Sequence, residues 1–526
     1  MQLIKIKPDS VQIRSDTNQL GNLHINDALQ VEDEQEMVSL VCVVTAITKN
    51  EEEERFDLDG TILEPESTSV IDCGIIGSVL DGAFTKSVDV YPSTNVTVKK
   101  LSREMFSNML AGRNDAGFLL GSYATYDCAA MLDVIKFFQR HAAILGNTGS
   151  GKSCAVASIL ENVKDLPAAN VIVFDVHGEY TGLSYTKTVK IGNGGRSFPV
   201  WFLPLKDIYG NLLKIKEDSA QIQVAALREA FYRARRSEAS EETPLPFSME
   251  DMLFLLEAEN RAEVETGEFY KSGEKEGRPK KVKGELNGKL TSLIQILKDK
   301  MRDSRYRFLF QEEGERYLAD FLRDVVGTDE AGVKVIDLSD VPGDMLPTVV
   351  AVTARLIYRA QLMQEKETMV PLTVVCDEAH NYIPAAGAML SASQRRLLDV
   401  FETIAKEGRK FGVSLLVVSQ RPSELNRTIL AQCANYVVLK LSNEIDKQMI
   451  QGILPEGSKG IVNSVNLFRP GDCLVVGDSA PITFKIKIDL PKEQPDSRTV
   501  DTWDRWKEPH RLDVSALAEK MLNEEI

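Results

Sequence analysis

The eight residues Gly146-Asn147-Thr148-Gly149-Ser150-Gly151-Lys152-Ser153 match GxxxxGK[ST] in full. Glycines in this pattern let backbone N–H groups turn inward and cradle phosphate oxygens at a helix N-terminus. Lys152 can reach the β and γ phosphates of ATP, and Ser153 can ligate Mg2+. A second run, Leu372-Thr-Val-Val-Cys376, ends in Asp377 and Glu378. Asp377 would share the Mg2+ shell with Ser153, and Glu378 is placed to polarise an attacking water. Acids at the end of a strand are common; beside a phosphate-binding loop they point to hydrolysis of ATP rather than nucleotide storage.

In a parallel sheet, ligands gather at the carboxyl ends of the strands, and two more segments would converge there. In Ser419-Gln420-Arg421-Pro422, Gln420 is either a sensor of the γ-phosphate or lytic water, or a hydrogen bond that ties down a loop. In Asp175-Val-His-Gly-Glu179-Tyr180, Asp175 and Glu179 either tune the metal or base, or contact a neighbouring subunit. Hydrolysis also needs positive charge at the developing γ-phosphate, often an arginine supplied by a neighbouring subunit. Arg140, Arg409 and Arg421 are the candidates, and for each of them pairing with a surface acid is the competing explanation. His177 and His380 have no partner at metal-ligand spacing, so neither is read as a zinc ligand.

Near-continuous Val/Ile/Leu runs at 142–145, 171–174, 333–337, 372–376, 413–418 and 436–440 alternate with helical segments. This predicts an α/β core built on a parallel sheet covered on both faces. Leu397, Val400, Phe401 and Ile404 recur at helical spacing, and Gly408 and Gly412 mark the end of that helix. Upstream, short strand-like runs at 38–45, 69–77, 87–91 and 95–99 predict a small all-β barrel or sandwich. Between 205 and 331 the pattern turns helical and charged (220–236, 248–265 and 286–303), which reads as an insertion. Its segment 271–283 holds six basic and two acidic residues; Gly and Pro discourage regular structure there. Such a loop is either merely solvated or touches nucleic acid, as could Gly194-Gly195-Arg196. The expected division is 1–125 for the β-barrel, 126–204 and 332–490 for the two parts of the core, 205–331 for the insertion, and 491–526 for a C-terminal arm. The arm carries Trp503 and Trp506 and a short amphipathic pattern at Val514, Leu517, Ala518 and Met521.

The chain has 526 residues, and 62 basic against 78 acidic side chains leave a net charge of −16. That balance argues against a protein that coats nucleic acid with its whole surface, while leaving room for a local basic channel. No apolar run reaches the roughly 18 residues needed to span a bilayer, so a membrane-embedded chain is excluded. The start lacks the layout of a secretory signal. The seven cysteines are scattered and never spaced CxxC, which fits reduced thiols in a cytoplasmic protein.

Five segments together carry a family resemblance: 140–153, Phe174-Asp-Val-His-Gly-Glu-Tyr180, Asp377-Glu-Ala-His380, Lys406-Glu-Gly-Arg-Lys-Phe-Gly412 and Ser419-Gln-Arg-Pro-Ser423. They resemble the HerA branch of the HerA/FtsK ATPases over nearly the whole chain. The resemblance implies a RecA-like P-loop NTPase core, an N-terminal HAS-barrel-like domain and a helical insertion between the two nucleotide motifs. It implies a homo-hexameric ring that moves double-stranded DNA through a central channel using ATP and Mg2+. It also implies an effector, a nuclease or a sirtuin-like NAD-hydrolysing protein, docking on the barrel face in DNA end processing or antiviral defence. By the same resemblance the residues 146 to 153 bind nucleotide, Asp377 and Glu378 are the Walker B pair, and Gln420 is the sensor. Arg140 stands where an arginine finger acting in trans is expected. The family often has Pro where Val176 stands. An ATP-gated scaffold that assembles an effector with little DNA transport is the alternative, favoured by the acidic balance.

Overall fold

The computed structural model describes residues 2–16, 23–33, 35–49, 68–80, 83–93, 95–110, 117–271, 277–329, 331–385, 390–454, 462–497, 502–507 and 512–522. The chain forms two compact units. The first comprises residues 1–171, 370–385 and 404–495; the second comprises 172–369, 386–403 and 496–526.

The first unit begins with seven strands: β1 (Gln2–Ile6), β2 (Ser10–Asp16), β3 (Ala28–Asp33), β4 (Val38–Lys49), β5 (Thr68–Leu80), β6 (Ala83–Thr85) and β7 (Thr97–Lys100). They form one antiparallel sheet in the order β1-β2-β5-β4-β3-β7, with β6 on β5. Alternate residues such as Val11 and Ile13, Leu29 and Val31, and Leu40, Cys42 and Val44 fill a shared core, as a period of two requires. The expected strand at 87–91 does not form. Ser87 and Asp89 alternate with its two valines and bring side chains that compete for backbone hydrogen bonds.

The unit's second sheet contains β8 (Gly117–Tyr123), β9 (Cys128–Asp133), β10 (His141–Leu145), β16 (Leu372–Cys376), β17 (Val413–Ser419), β18 (Cys433–Val438), β19 (Asp472–Gly477) and β20 (Lys485–Ile488). Their order is β16-β17-β10-β18-β19-β20-β8-β9. The pairs β16/β17, β10/β17 and β10/β18 are parallel. From β18 onward every pair is antiparallel. The sheet is therefore mixed, a correction to the parallel sheet expected from the sequence. Strands β10, β16 and β17 are buried along their whole length and read as continuous apolar runs. In contrast, β20 alternates buried and more exposed residues in the manner of a strand with one wet face.

In the second unit, β12 (Thr186–Lys190) and β15 (Val333–Asp337) pair in parallel, and β11 (Val171–Asp175) lies beside β15. Helices Gln221–Arg235, Met249–Arg261, Thr291–Arg302, Arg316–Val326 and Leu346–Leu362 follow the apolar periodicity. The helix expected through 265 stops at Arg261, and β13 (Glu263–Phe269) pairs antiparallel with β14 (Pro279–Lys283). Val264, Thr266 and Phe269 favour extended backbone, and Gly267 at φ 76° relaxes the register shift between Glu265 and Phe269. Part of the expected loop 271–283 is thus a strand; residues 272–276 lie outside the described residues. The tail supplies the helices Thr502–Lys507 and Val514–Leu522, with Trp503, Trp506 and Met521 exposed. Among the described residues, no helix is long and apolar enough to cross a membrane.

Candidate functional site

The ends of three neighbouring strands position the site. Leu145 closes β10 opposite Ser419 of β17 and Val438 of β18. The loop that follows is pinned at its root: Gly146 N–H donates to Ser419 O (3.3 Å), and Asn147 N–H donates to Lys440 O (2.9 Å). A Cβ at position 146 would stand 2.8 Å from Leu439 Cβ, a collision, so only glycine lets the strand run this close to its neighbour. Gly149 and Gly151 take φ of 71° and 104°, the left-handed region that turns the loop back onto the helix Lys152–Val163. Ser150 Oγ and Lys152 Nζ both donate to Asn147 O, at 2.6 and 3.2 Å. Gly151, at the helix N-cap, brings no side chain to cap the first N–H groups, and an uncapped N-terminus of this kind is an anion site.

Strand β16 delivers the acids. Cys376 pairs with Val417, which brings the following Asp377 and Glu378 level with the end of β17. Strands lie about 4.8 Å apart, so these carboxylates stand about 10 Å across the sheet from the phosphate loop. Asp377 is 4% exposed, and its carbonyl accepts the Tyr382 hydroxyl at 2.7 Å. Glu378 sits at φ 44° and turns the chain sharply out of the strand. Among the described residues, no group of three His, Cys, Asp or Glu side chains can hold a metal by itself. The donors present, a serine hydroxyl and a carboxylate, suit Mg2+, which takes its other ligands from phosphate and water.

Gln420 follows β17, and its Oε1 accepts the hydroxyl of Thr148, so this side chain does reach the phosphate loop. Arg421 begins the next turn and pairs with Glu424 at 2.9 Å. Arg140 and Arg409 lie elsewhere. Arg140 precedes β10 and pairs with Asp478. Arg409 is exposed in the turn Gly408–Phe411 ahead of β17. The five residues of β10 at about 3.3 Å each put Arg140 roughly 16 to 20 Å from the phosphate loop of its own chain, and Arg409, whose charge acts on His141 at the start of the same strand, lies toward that same far end. Next to them, His141 is buried and its Nδ1 accepts Leu415 N–H at 2.9 Å. Burial, aided by the charge of Arg409, holds its pKa below the ordinary value.

In the second unit, Asp175 accepts four backbone N–H groups, from His177, Gly178, Glu179 and Tyr180, at 2.8 to 3.2 Å. Its carboxylate is fully engaged in shaping that loop, even though burial pushes its pKa up. Arg196 pairs with Asp324 and lies over Tyr317, 5.9 Å from the ring centre. On β14, Lys281 and Lys283 face Glu265 and Glu263 across the ribbon. These cross-strand acids offset the basic character of the segment.

Sequence reasoning did not find the contacts that join the loops. His380 Nδ1 lies 3.2 Å from Glu378 Oε2 and 3.4 Å from Ser419 Oγ. Gly471 N–H, from the turn before β19, supports Ser150 O at 2.9 Å. The one signal available was the position of His380, two residues beyond Glu378.

Strand order, phosphate loop and acidic strand end define a P-loop ATPase. Residues 117–357 match the family described as the central domain of helicase HerA. Two curated relatives bear the name DNA double-strand break repair helicase HerA. The one from Saccharolobus solfataricus is 27% identical over 412 residues, 76% of this chain and 74% of its own. The one from Sulfurisphaera tokodaii is 28% identical over 452 residues, 82% of this chain and 80% of its own. Among solved structures, VirB4 of Thermoanaerobacter pseudethanolicus superposes with a TM-score of 0.49 at 17% identity, covering 72% of this chain and 97% of that one. The chain is an ATPase similar to the HerA helicases over most of its length, and the match to their central domain spans residues 117–357.

Proposed function

We propose that this chain is one subunit of a homo-hexameric ring that hydrolyses ATP with Mg2+ to move double-stranded DNA through a central channel. The observation that carries this reading is the placement of charge along β10. The phosphate loop stands at its carboxyl end, while Arg140 and Arg409 stand at or near the amino ends of β10 and β17. An arginine that far away cannot reach the γ-phosphate of its own subunit, but it can serve the site of a neighbour. Gly146 to Ser153 hold the nucleotide, Ser153 and Asp377 hold Mg2+, Glu378 activates water, and Gln420 senses the γ-phosphate. Bound Mg2+ supplies neutralisation of charge on the phosphate oxygens. The HerA names of the relatives support DNA as the track.

On the same reading the N-terminal sheet is the docking platform for an effector of nuclease or sirtuin-like type, in the cytoplasm. The test is to size the purified protein with and without ATP and duplex DNA, and to measure turnover in the same samples. Assembly with nucleotide and stimulation of turnover by duplex DNA are expected. A monomer whose turnover ignores DNA defeats the ring-motor reading. A ring with DNA-independent turnover favours the ATP-gated scaffold, which the net charge of −16 also favours.

A further inference from the structure

Ser419, the last residue of β17, is where two loops of the site meet. His380 Nδ1 lies between Glu378 Oε2 at 3.2 Å and Ser419 Oγ at 3.4 Å. Ser419 Oγ also accepts Arg421 N–H at 3.0 Å, which fixes the hydroxyl from the other side. Gln420, between these two residues, is bonded to Thr148 of the phosphate loop. The imidazole and the carboxylate are nearly enclosed, with side chains 11% and 13% exposed. The left-handed backbone of Glu378 sets where its side chain leaves the chain, and so leaves the direction of the carboxylate to its side-chain contacts. The 3.2 Å approach to Glu378 Oε2 is an ion-pair contact, while the hydrogen bond of Nδ1 runs to Ser419 Oγ.

We propose that His380 is a positioning residue for ATP hydrolysis. Its imidazole, hydrogen-bonded to Ser419 at the strand end that carries Gln420, stands against the carboxylate of Glu378 and fixes its direction by that contact. The inference rests on the reading of Glu378 as the residue that activates water. Holding a general base at the right angle affects the chemical step and leaves binding of the nucleotide untouched.

The experiment uses the full chain and measures kcat and KM for ATP and the Kd for a fluorescent ATP analogue. His380→Ala is expected to lower kcat by roughly tenfold, with KM and Kd unchanged. His380→Asn, whose amide can take the place of Nδ1 between Ser419 and Glu378, restores most of that loss, and His380→Gln does not. In a Glu378→Gln background, His380→Ala has no further effect, because residues acting as a unit are not additive. Unchanged or raised kcat in His380→Ala, a parallel loss of Kd, or full additivity with Glu378→Gln overturns the proposal. If Glu378→Gln itself turns over at the wild-type rate, the reading of Glu378 fails and takes this inference with it. If Glu378→Gln is inactive while His380→Ala is not, this inference alone fails.

Discussion

The two ends of the same parallel strands carry opposite chemistry. At the carboxyl ends of β16, β17, β10 and β18 stand a glycine-rich loop, a helix N-terminus, Asp377, Glu378 and Gln420. At or near the amino ends of β17 and β10 stand Arg409, Lys410 and Arg140, with the buried His141 beside them. Strand direction alone makes this division: in parallel neighbours the loops after the strands all gather at one edge, and the loops before them at the other. One subunit therefore holds the acids and phosphate contacts at one edge and its candidate arginine fingers at the other. On the proposed reading, a complete hydrolytic site then needs two copies.

The largest test of the carboxyl edge is Lys152→Ala, which should abolish ATP binding and turnover, measured by analogue fluorescence and phosphate release. Glu378→Gln should keep binding and lower kcat on the order of a thousandfold, the range of a lost general base. At the amino edge, Arg140→Ala or Arg409→Ala should each lower turnover by about a hundredfold without weakening ATP binding, less than the full effect known for arginine fingers. Mixing either arginine variant with Lys152→Ala should recover activity, because some interfaces then pair an intact loop with an intact arginine. No recovery on mixing would break the division of labour between the edges.

The smallest effect concerns His141. Its folded pKa lies below 6.5, so above that pH both states bind no proton there. As pH falls below 6.5, the unfolded chain takes up the proton first, and stability is lost toward the lower folded value. Thermal unfolding at pH 7.5 and 5.5 should show this loss, and His141→Asn should reduce it. An equal pH dependence in the variant would remove His141 from the account.

Much of the site was legible because it is local. The phosphate loop is eight consecutive residues whose conformational needs name them, and the strand before Asp377 is short, apolar and bounded. The parallel strands were legible for the same reason: burial on both faces makes them continuous Val/Ile/Leu runs. The antiparallel part, β19, β20, β8 and β9, was not, since pairing partners are set by register across hundreds of residues and leave no local mark. The ribbon β13/β14 was misread because each strand is stabilised by the other and not by its own sequence.

The sequence by itself determined the chemistry available: a phosphate-loop motif, two acids, a glutamine and a few arginines. Only the tertiary structure decided which of them share an edge. It committed Asp175 to its own loop, tied Arg196 to Asp324, placed Arg140 and Arg409 far from the phosphate loop, and joined Glu378 to Ser419 through His380. Residue types and spacing fix what a side chain can do, whereas its partners come from strands brought together over long separations by burial of apolar surface.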